Sequence, residues 1–178
     1  MNITGGKYNS LIVKTADFAN IKPTLSKIRQ AVFNSLSSIL EKKDDLFFCD
    51  LFAGSGIMSF EAVSRGYNTI CVEIDKKSVK VIKENSERLK ADIKIVNYDA
   101  VKFLQKTETV FDVIYIDPPY QSGLYDIVLA QIKNRNLLSE NGIVIVEKPS
   151  ELEVKTDGYN LIKEKNYSDK TIWYLKKE

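Results

Sequence analysis

The stretch Leu46-Phe47-Phe48-Cys49-Asp50-Leu51-Phe52-Ala53-Gly54-Ser55-Gly56 runs from apolar residues into an acidic one and a glycine pair, and the helical pattern Ile57–Ser64 follows at once. An apolar run that stops at a glycine turn and opens a helix is the start of a β/α unit. The same alternation continues through Thr69–Val72, Ser78–Leu89, Ile93–Val96, Val101–Leu104, Phe111–Ile116, Tyr125–Ile132 and Ile143–Val146. Strands and helices taking turns imply right-handed crossovers and a parallel sheet covered on both faces. After Lys148-Pro149 the pattern changes: Tyr159–Lys165 and Lys170–Lys176, joined through Tyr167-Ser168-Asp169, read as a hairpin that closes the sheet antiparallel. Ahead of the first unit, Ile3 to Val13 with Gly5-Gly6 reads as a small hairpin. Thr24 then caps a helix with Leu25, Ile28, Val32, Leu36 and Ile39 on one face. Lys27 at the third helical position means the cap is not a full capping box. The expected fold is α/β, a mostly parallel seven-stranded sheet with helices on both faces and a C-terminal antiparallel hairpin. Residues 1–44 form an N-terminal hairpin and helix extension, and 45–178 the ligand-binding domain.

Composition narrows the function classes. The 178 residues fit one domain with a full core; 44% are apolar and 28% charged, and no run approaches the length that spans a bilayer. The start Met1-Asn2-Ile3-Thr4-Gly5-Gly6-Lys7 lacks the apolar core of a signal peptide, so a cytoplasmic location is expected. With no histidine and two cysteines, Cys49 and Cys71, inside predicted strands, neither a structural zinc site nor a histidine base is expected. The net charge of +2 is uneven: residues 1–40 hold Lys7, Lys14, Lys22, Lys27 and Arg29 against Asp17 alone, an excess of four. A basic arm on a near-neutral body suits phosphate contact, though five solvated charges on a short arm are an ordinary alternative.

The ends of successive strands carry the acidic residues. Asp50 to Gly56 lies where open α/β sheets bind ligands. A dinucleotide fingerprint would need a third glycine where Ser59 stands, and Asp50 would repel a pyrophosphate. An adenosine-like ligand carrying a cation fits better, and S-adenosylmethionine has an ammonium group for which Asp50 is a partner, directly or through water. Phe52, Ala53, Gly54, Ser55 and Gly56 then form its loop. Glu73, 19 residues beyond Gly54, sits at the spacing of a carboxylate that holds ribose hydroxyls. Ile74 covers an adenine face, and Asp99 with the Ala100 N–H reads the adenine edge. Each acidic residue alone fits a helix cap or a solvated charge equally well; their shared order is the stronger signal.

At the fourth core strand the chain reads Asp117-Pro118-Pro119-Tyr120. Two prolines lack N–H groups and fix φ, so the strand stops in a rigid turn. Carbonyls beside the Asp117 carboxylate and the flat ring of Tyr120 suit an exocyclic amine on a stacked nucleobase, whereas an isolated Asp-Pro-Pro is often only a turn.

These motifs together resemble the RsmD-type methyltransferases of small-subunit ribosomal RNA, nearly end to end. The N-terminal pattern stands as Lys22-Pro23-Thr24, Arg29 and Phe33-Asn34; the cofactor loop as Asp50 to Gly56, then Glu61-Ala62 and Ser64-Arg65-Gly66; the second-strand signature as Val72-Glu73-Ile74-Asp75; and Asp-Pro-Pro-Tyr is intact. Lys22 departs from the usual Arg, a point charge replacing a planar fork. The resemblance implies a Rossmann-like class I methyltransferase that uses S-adenosylmethionine to methylate a guanine N2 amine in small-subunit (16S) ribosomal RNA, within an assembled or assembling subunit. It further implies that Asp117, Pro118, Pro119 and Tyr120 serve catalysis and that Lys22, Thr24 and Arg29 contact RNA, with no metal and no membrane. DNA adenine N6-methylation uses the same tetrapeptide, but no segment is long enough for a separate DNA-recognition domain. Protein glutamine methylation would call for Asn in place of Asp117, and a non-catalytic assembly factor that keeps the cofactor as a structural ligand is the remaining alternative.

Overall fold

Short β-branched and aromatic runs, each too apolar to face water on either side, fold as the interior of a parallel sheet. In a computed structural model that describes residues 1–15, 26–40, 45–119 and 122–178, the elements run α1 (Ser26–Ile39), β1 (Phe47–Asp50), α2 (Ile57–Ser64), β2 (Asn68–Glu73), α3 (Lys76–Leu89), β3 (Ile93–Asn97), α4 (Ala100–Lys106), β4 (Phe111–Ile116), α5 (Leu124–Asn134), β5 (Leu138–Pro149), β6 (Tyr159–Tyr167) and β7 (Lys170–Lys177). The strands form one seven-stranded sheet in the order β3-β2-β1-β4-β5-β7-β6. β3 through β5 pair in parallel, and β7 joins β5 and β6 antiparallel. Sequence order reverses between β1 and β4, which places a crevice outside the strand ends there.

The core is divided by the sheet. On one face Phe48, Val113, Tyr115, Ile145 and Tyr174 pack with Ile57 and Phe60 of α2, Ile82 of α3, and Ile28, Val32, Phe33 and Leu36 of α1. On the other, Cys49, Ile70, Ile114, Ile116 and Val144 pack with Leu104 of α4 and with Val128, Leu129 and Ile132 of α5. Both cysteines are buried and unpaired, as expected of core residues. Strand β5 begins five residues before its apolar run, because Leu138 pairs with Phe111 and a register irregularity then realigns Ile143 with Val113. The intervening Ser139-Glu140-Asn141-Gly142 has no alternation to betray an extended backbone.

The N-terminal segment is a hairpin in outline only: one antiparallel bridge, Asn2 to Ile12, supplemented by Ile3 N–H to Leu11 carbonyl and Val13 N–H to Met1 carbonyl. Its Ile3, Tyr8 and Val13 are buried in the same cluster as the sheet. What fastens it is Glu61 on α2, fully buried, whose carboxylate receives Arg29 Nε at 2.9 Å, Arg65 Nη1 at 2.5 Å, and the Thr4 N–H and Oγ1 at 3.0 and 2.9 Å. Arg29 also donates to the Asn2 carbonyl at 2.7 Å. This corrects the expectation that Arg29 contacts RNA: at 3% exposure its guanidinium belongs to the joint between α1, α2 and the arm. Lys22 and Thr24, with Leu25, lie outside the described residues.

Removing one partner of a buried ion pair leaves an uncompensated charge, which typically costs about 3–5 kcal/mol. Glu61→Ala should therefore lower urea-denaturation stability by about that amount, whereas Glu84→Ala, which breaks an exposed pair with Lys80 at 4.0 Å, should cost less than about 1 kcal/mol.

Candidate active site

Three carboxyls end adjacent strands. Asp50 pairs in register with Tyr115, and Tyr115 with Ile145, so Asp50, Tyr115, Asp117 and, one step beyond Ile145 on the same face, Glu147 lie side by side at the carboxyl ends of β1, β4 and β5.

Asp50 is 1% exposed, and its Oδ2 accepts both the Ser59 N–H at 3.0 Å and the Ser59 hydroxyl at 2.7 Å. It thus caps the first turn of α2 from the preceding strand. Burial pushes its carboxyl up to about 7 despite the Ser59 bonds, with the charge of Glu73 adding to the rise. Ser59, which sequence reasoning used only to exclude a dinucleotide fingerprint, is the residue that satisfies this buried acid.

The loop between is shaped by backbone needs. Ala53 N–H donates to the Val72 carbonyl at 3.0 Å, and Gly56 N–H to the Ala53 carbonyl at 2.7 Å. Gly54 is left-handed at φ 53°, with open space where a side chain would point. Gly56 is left-handed at φ 74°, and a Cβ there would come within 2.9 Å of Ile82. The first glycine keeps the crevice open; the second lets α2 start against α3. Ser55 Oγ lies 3.4 Å from the Ile57 N–H, and Phe52 packs partly buried against the core face of α4 and α5.

Glu73 bridges loop and strand end, its Oε2 accepting from Gly54 N–H at 2.6 Å and its Oε1 from Asp75 N–H at 2.8 Å. Asn97, at the end of β3, donates to the carbonyls of Glu73 and Ile74 at 2.9 Å each and so pins the β2 turn, a role that no sequence signal announced. Ile74 is 65% exposed, an apolar side chain left bare over the crevice. Asp99 caps α4 through Lys102 N–H at 2.8 Å, and Ala100 is buried beside it. Asp99 is therefore a helix cap whose Oδ2 remains beyond the cap bond.

Asp117 is half-buried, Pro118 buried and Pro119 exposed, with the Ser122 N–H donating to the Pro119 carbonyl at 3.2 Å to close the turn. Tyr120 lies outside the described residues. Burial raises the Asp117 carboxyl to about 8; the Glu147 charge adds to this, Lys170 opposes it and Asp50 adds further. Glu147 is fully buried, and its two oxygens accept from the Tyr115 hydroxyl and the Lys170 ammonium. Burial first, and Glu147 next, push the Tyr115 phenol well up. The Tyr125 hydroxyl from α5 donates to the Glu147 carbonyl at 2.9 Å. Glu147 escaped the sequence reading because it follows an apolar run as if leaving the core.

With this geometry in view, the chain can be set beside known proteins. Its residues 1–176 match the family described as Conserved hypothetical protein 95. The chain belongs to that family, the RsmD type. Among its relatives, Ribosomal RNA small subunit methyltransferase D of Buchnera aphidicola (subsp. Baizongia pistaciae) is 29% identical, the match covering 98% of this chain and 89% of that one. The protein of the same name from Escherichia coli K12 is 28% identical over 86% of this chain and 76% of its own length. Among solved structures, the Thermus hypothetical protein TTHA0928 superposes with a TM-score of 0.86 at 24% identity, covering 99% of both chains, which establishes the fold. A conserved hypothetical protein from Streptococcus pyogenes gives 0.74 at 28% identity, over 84% of this chain and 95% of its own. The family's fold is the Rossmann-like class I methyltransferase fold. Among the described residues no helix is long and apolar enough to cross a membrane.

Raised carboxyls tie stability to pH. Asp50 and Asp117 hold their protons more tightly folded than unfolded, so their contribution is fully present below the ordinary value of 3.8 and is lost progressively as pH rises from there through about 7 to 8. No histidine titrates in that window. Thermal melts of the ligand-free protein should give a higher Tm at pH 5 than at pH 7.5, and Asp50→Asn should shrink the difference. An equal slope in the variant would contradict the shift at Asp50.

Proposed function

We propose that this protein is an S-adenosylmethionine-dependent methyltransferase that modifies a guanine N2 amine in small-subunit ribosomal RNA. The observation that carries the reading is the set of acids at adjacent strand ends, Asp50, Glu73 and Asp117, around a crevice with one bare apolar side chain. Membership in a family whose relatives are named for small-subunit ribosomal RNA methylation supplies the substrate class.

The crevice fits the cofactor's chemical groups. Asp50, with Oδ2 bonded to Ser59 and no bond to Oδ1 among the described residues, can take an ammonium on its second oxygen, directly or through water. Glu73 has lone pairs beyond the Gly54 and Asp75 bonds for ribose hydroxyls, Ile74 offers an apolar face to a purine, and Asp99 with the Ala100 N–H can meet the purine edge. Phe52, Ala53, Ser55 and Gly56 shape the loop around them, and Gly54 leaves the approach open. When bound, the cofactor supplies a methyl group already activated by its sulfonium leaving group.

Activation of the amine falls to the protein. The guanine N2 lone pair is delocalised into the ring, and acceptors on its N–H bonds draw it back toward the nitrogen. Asp117 and the Pro118 carbonyl are those acceptors, and Asp117 receives the proton that the amine loses once the N–C bond has formed. This requires an ionised Asp117, which burial and Glu147 disfavour in the ligand-free protein. A cation in the neighbouring crevice stabilises the ionised forms of Asp50 and Asp117 together, so the acceptor becomes competent when the methyl donor is in place. Pro119 holds the turn rigid, and Tyr120 is assigned the stacking face for the extruded base, a contact typically worth about 1–3 kcal/mol. Lys22 and Thr24 are assigned to the RNA phosphates. The substrate is the loop RNA of an assembled or assembling subunit, since an exposed base is easier to extrude than a paired one.

Nucleoside mass spectrometry of ribosomal RNA from cells with and without the gene should show one N2-methylguanosine lost from the small subunit. Labelled methyl recovered as N6-methyladenine in duplex DNA, with none in RNA, would install the DNA reading instead. Glu73→Ala should weaken cofactor binding in calorimetry by roughly ten- to a hundredfold, the usual cost of a charged acceptor. Asp117→Asn should bind cofactor within about threefold of the parent yet lose most methyl transfer, because the amide has half the accepting capacity and cannot take the proton.

A further inference from the structure

The site leaves a buried, charged cluster without an assigned part. Glu147 and Lys170 are both inside the protein, paired with each other, and the Tyr115 hydroxyl completes the second oxygen of Glu147. Two buried ions cost more to desolvate than their attraction commonly returns, so such a pair is a poor device for stability alone. Its place is informative. Register carries Ile116 to Val146 and therefore sets Asp117 next to Glu147 on the neighbouring parallel strand. The antiparallel strand β7 enters from the opposite direction, pairing Lys170 with Pro149 and Ile172 with Glu147, so the ammonium arrives at the same strand ends from the far side.

We propose that Glu147 and Lys170 are positioning residues for Asp117: a fixed anion–cation pair that, with Tyr115, sets the charge and orientation of the carboxylate that receives the substrate amine. The role rests on the methyltransferase reading above, in which Asp117 is the acceptor. Among the described residues, the titratable and charged groups around Asp117 come from several elements. Asp50 comes from β1, Tyr115 from β4, Glu147 from β5 and Lys170 from β7, while Tyr167 of β6 also feels the Glu147 charge. From α5, the Tyr125 hydroxyl meets the Glu147 backbone carbonyl. Helix α1 contributes apolar Ile28, Val32 and Leu36 to the shared core face, and its Arg29 is engaged by Glu61.

Two opposite charges beside one carboxyl act in opposite senses. Glu147 holds the proton on Asp117, and Lys170 favours its release. Glu147→Gln keeps the shape, removes the charge that holds the proton on Asp117 and keeps Lys170 beside it, so Asp117 should ionise at lower pH, by about one unit or more. The double variant Glu147→Gln/Lys170→Met removes both charges and keeps the site neutral. Its Asp117 midpoint should fall between the other two, giving the order parent, double, single from high to low.

The test is a carboxyl ¹³C NMR titration of the ligand-free proteins, with the Asp117 signal assigned by its loss in Asp117→Asn. Single-turnover methyl transfer to unmodified small subunits is then followed against pH, with cofactor affinity measured by calorimetry. The acid limb of the rate profile should move with the NMR midpoint, in the same order, at cofactor affinities within about threefold of the parent. Midpoints or acid limbs that coincide in all three proteins would overturn the proposal, since a merely structural pair would change stability and leave both where they are. If Glu147→Gln fails to fold, the double variant decides against the parent alone. A parent that transfers methyl to no RNA overturns the functional reading instead, and the NMR midpoints still decide whether the pair controls Asp117.

Discussion

Crowding of negative charge at the ends of parallel strands is the constraint around which this protein is arranged. Parallel pairing in register brings Asp50, Asp117 and Glu147 to one face at the carboxyl ends of β1, β4 and β5, with Asp117 and Glu147 two residues beyond the level of Asp50. None of the three can move apart without breaking the ladder. Burial penalises the ionised forms of Asp50 and Asp117, and the charges of Glu147 and Asp50 raise Asp117 further. The fold answers with separate devices. Ser59 gives Asp50 an N–H and a hydroxyl from the first turn of α2, and Glu147 receives Tyr115 and Lys170. Among the described residues none donates a hydrogen bond to the Asp117 carboxyl, which is raised furthest, to about 8. The antiparallel β7 follows from the same need. A parallel strand would bring its own carboxyl end to this level, whereas β7 runs the other way and delivers Lys170 at its start.

A second buried acid organises the opposite side of the same face. Glu61 has no net excess charge to manage, because Arg29 and Arg65 both reach it and Thr4 closes the set. The contrast with Asp117 separates an acid tied into the structure from one that the proposed function can use. A carboxylate given four donors has its lone pairs taken up by the protein and little left to offer a ligand. The arm thus becomes an integral wall of the core, held also by Ser64, whose hydroxyl donates to Gly5 and accepts from the Tyr8 N–H at 2.6 and 2.8 Å.

This distinction marks the limit of what the sequence could reveal. Element types were legible because periodicity is local: the apolar runs at Phe111–Ile116 and Ile143–Val146 and the helical pattern at Ser78–Leu89 all sit inside elements of the expected kind. The places of the glycine turn after β1 and of the acids at the ends of β2 and β4 were legible because turn chemistry is local as well. Arg29 was misread because charge in a sequence looks like surface until its partner is known, and its partner lies 32 residues away on another helix. Glu147 and Lys170 were missed for the same reason. A buried pair separated by 23 residues has no signature in either flank. Asp99 was assigned a ligand, and its first bond proves to be a helix cap, since one Asp at a strand–helix junction satisfies both patterns equally.

The reversal of strand order between β1 and β4 then divides the labour of the site. Residues on β1, β2 and β3 face the side where Gly54 leaves space and Ile74 is bare, and their acids are drawn into bonds with the protein's own N–H groups, which keeps them in fixed geometry. Across the reversal, Asp117 stands on a turn whose two prolines cannot supply such N–H donors, which leaves it the acceptor capacity that the proposed reaction asks of it. The diproline is thus more than a stop signal for β4. By withholding donors it leaves the carboxyl under the control of more distant charges, and a group governed by electrostatics rather than by hydrogen bonds is one whose protonation a cationic ligand in the next crevice can change.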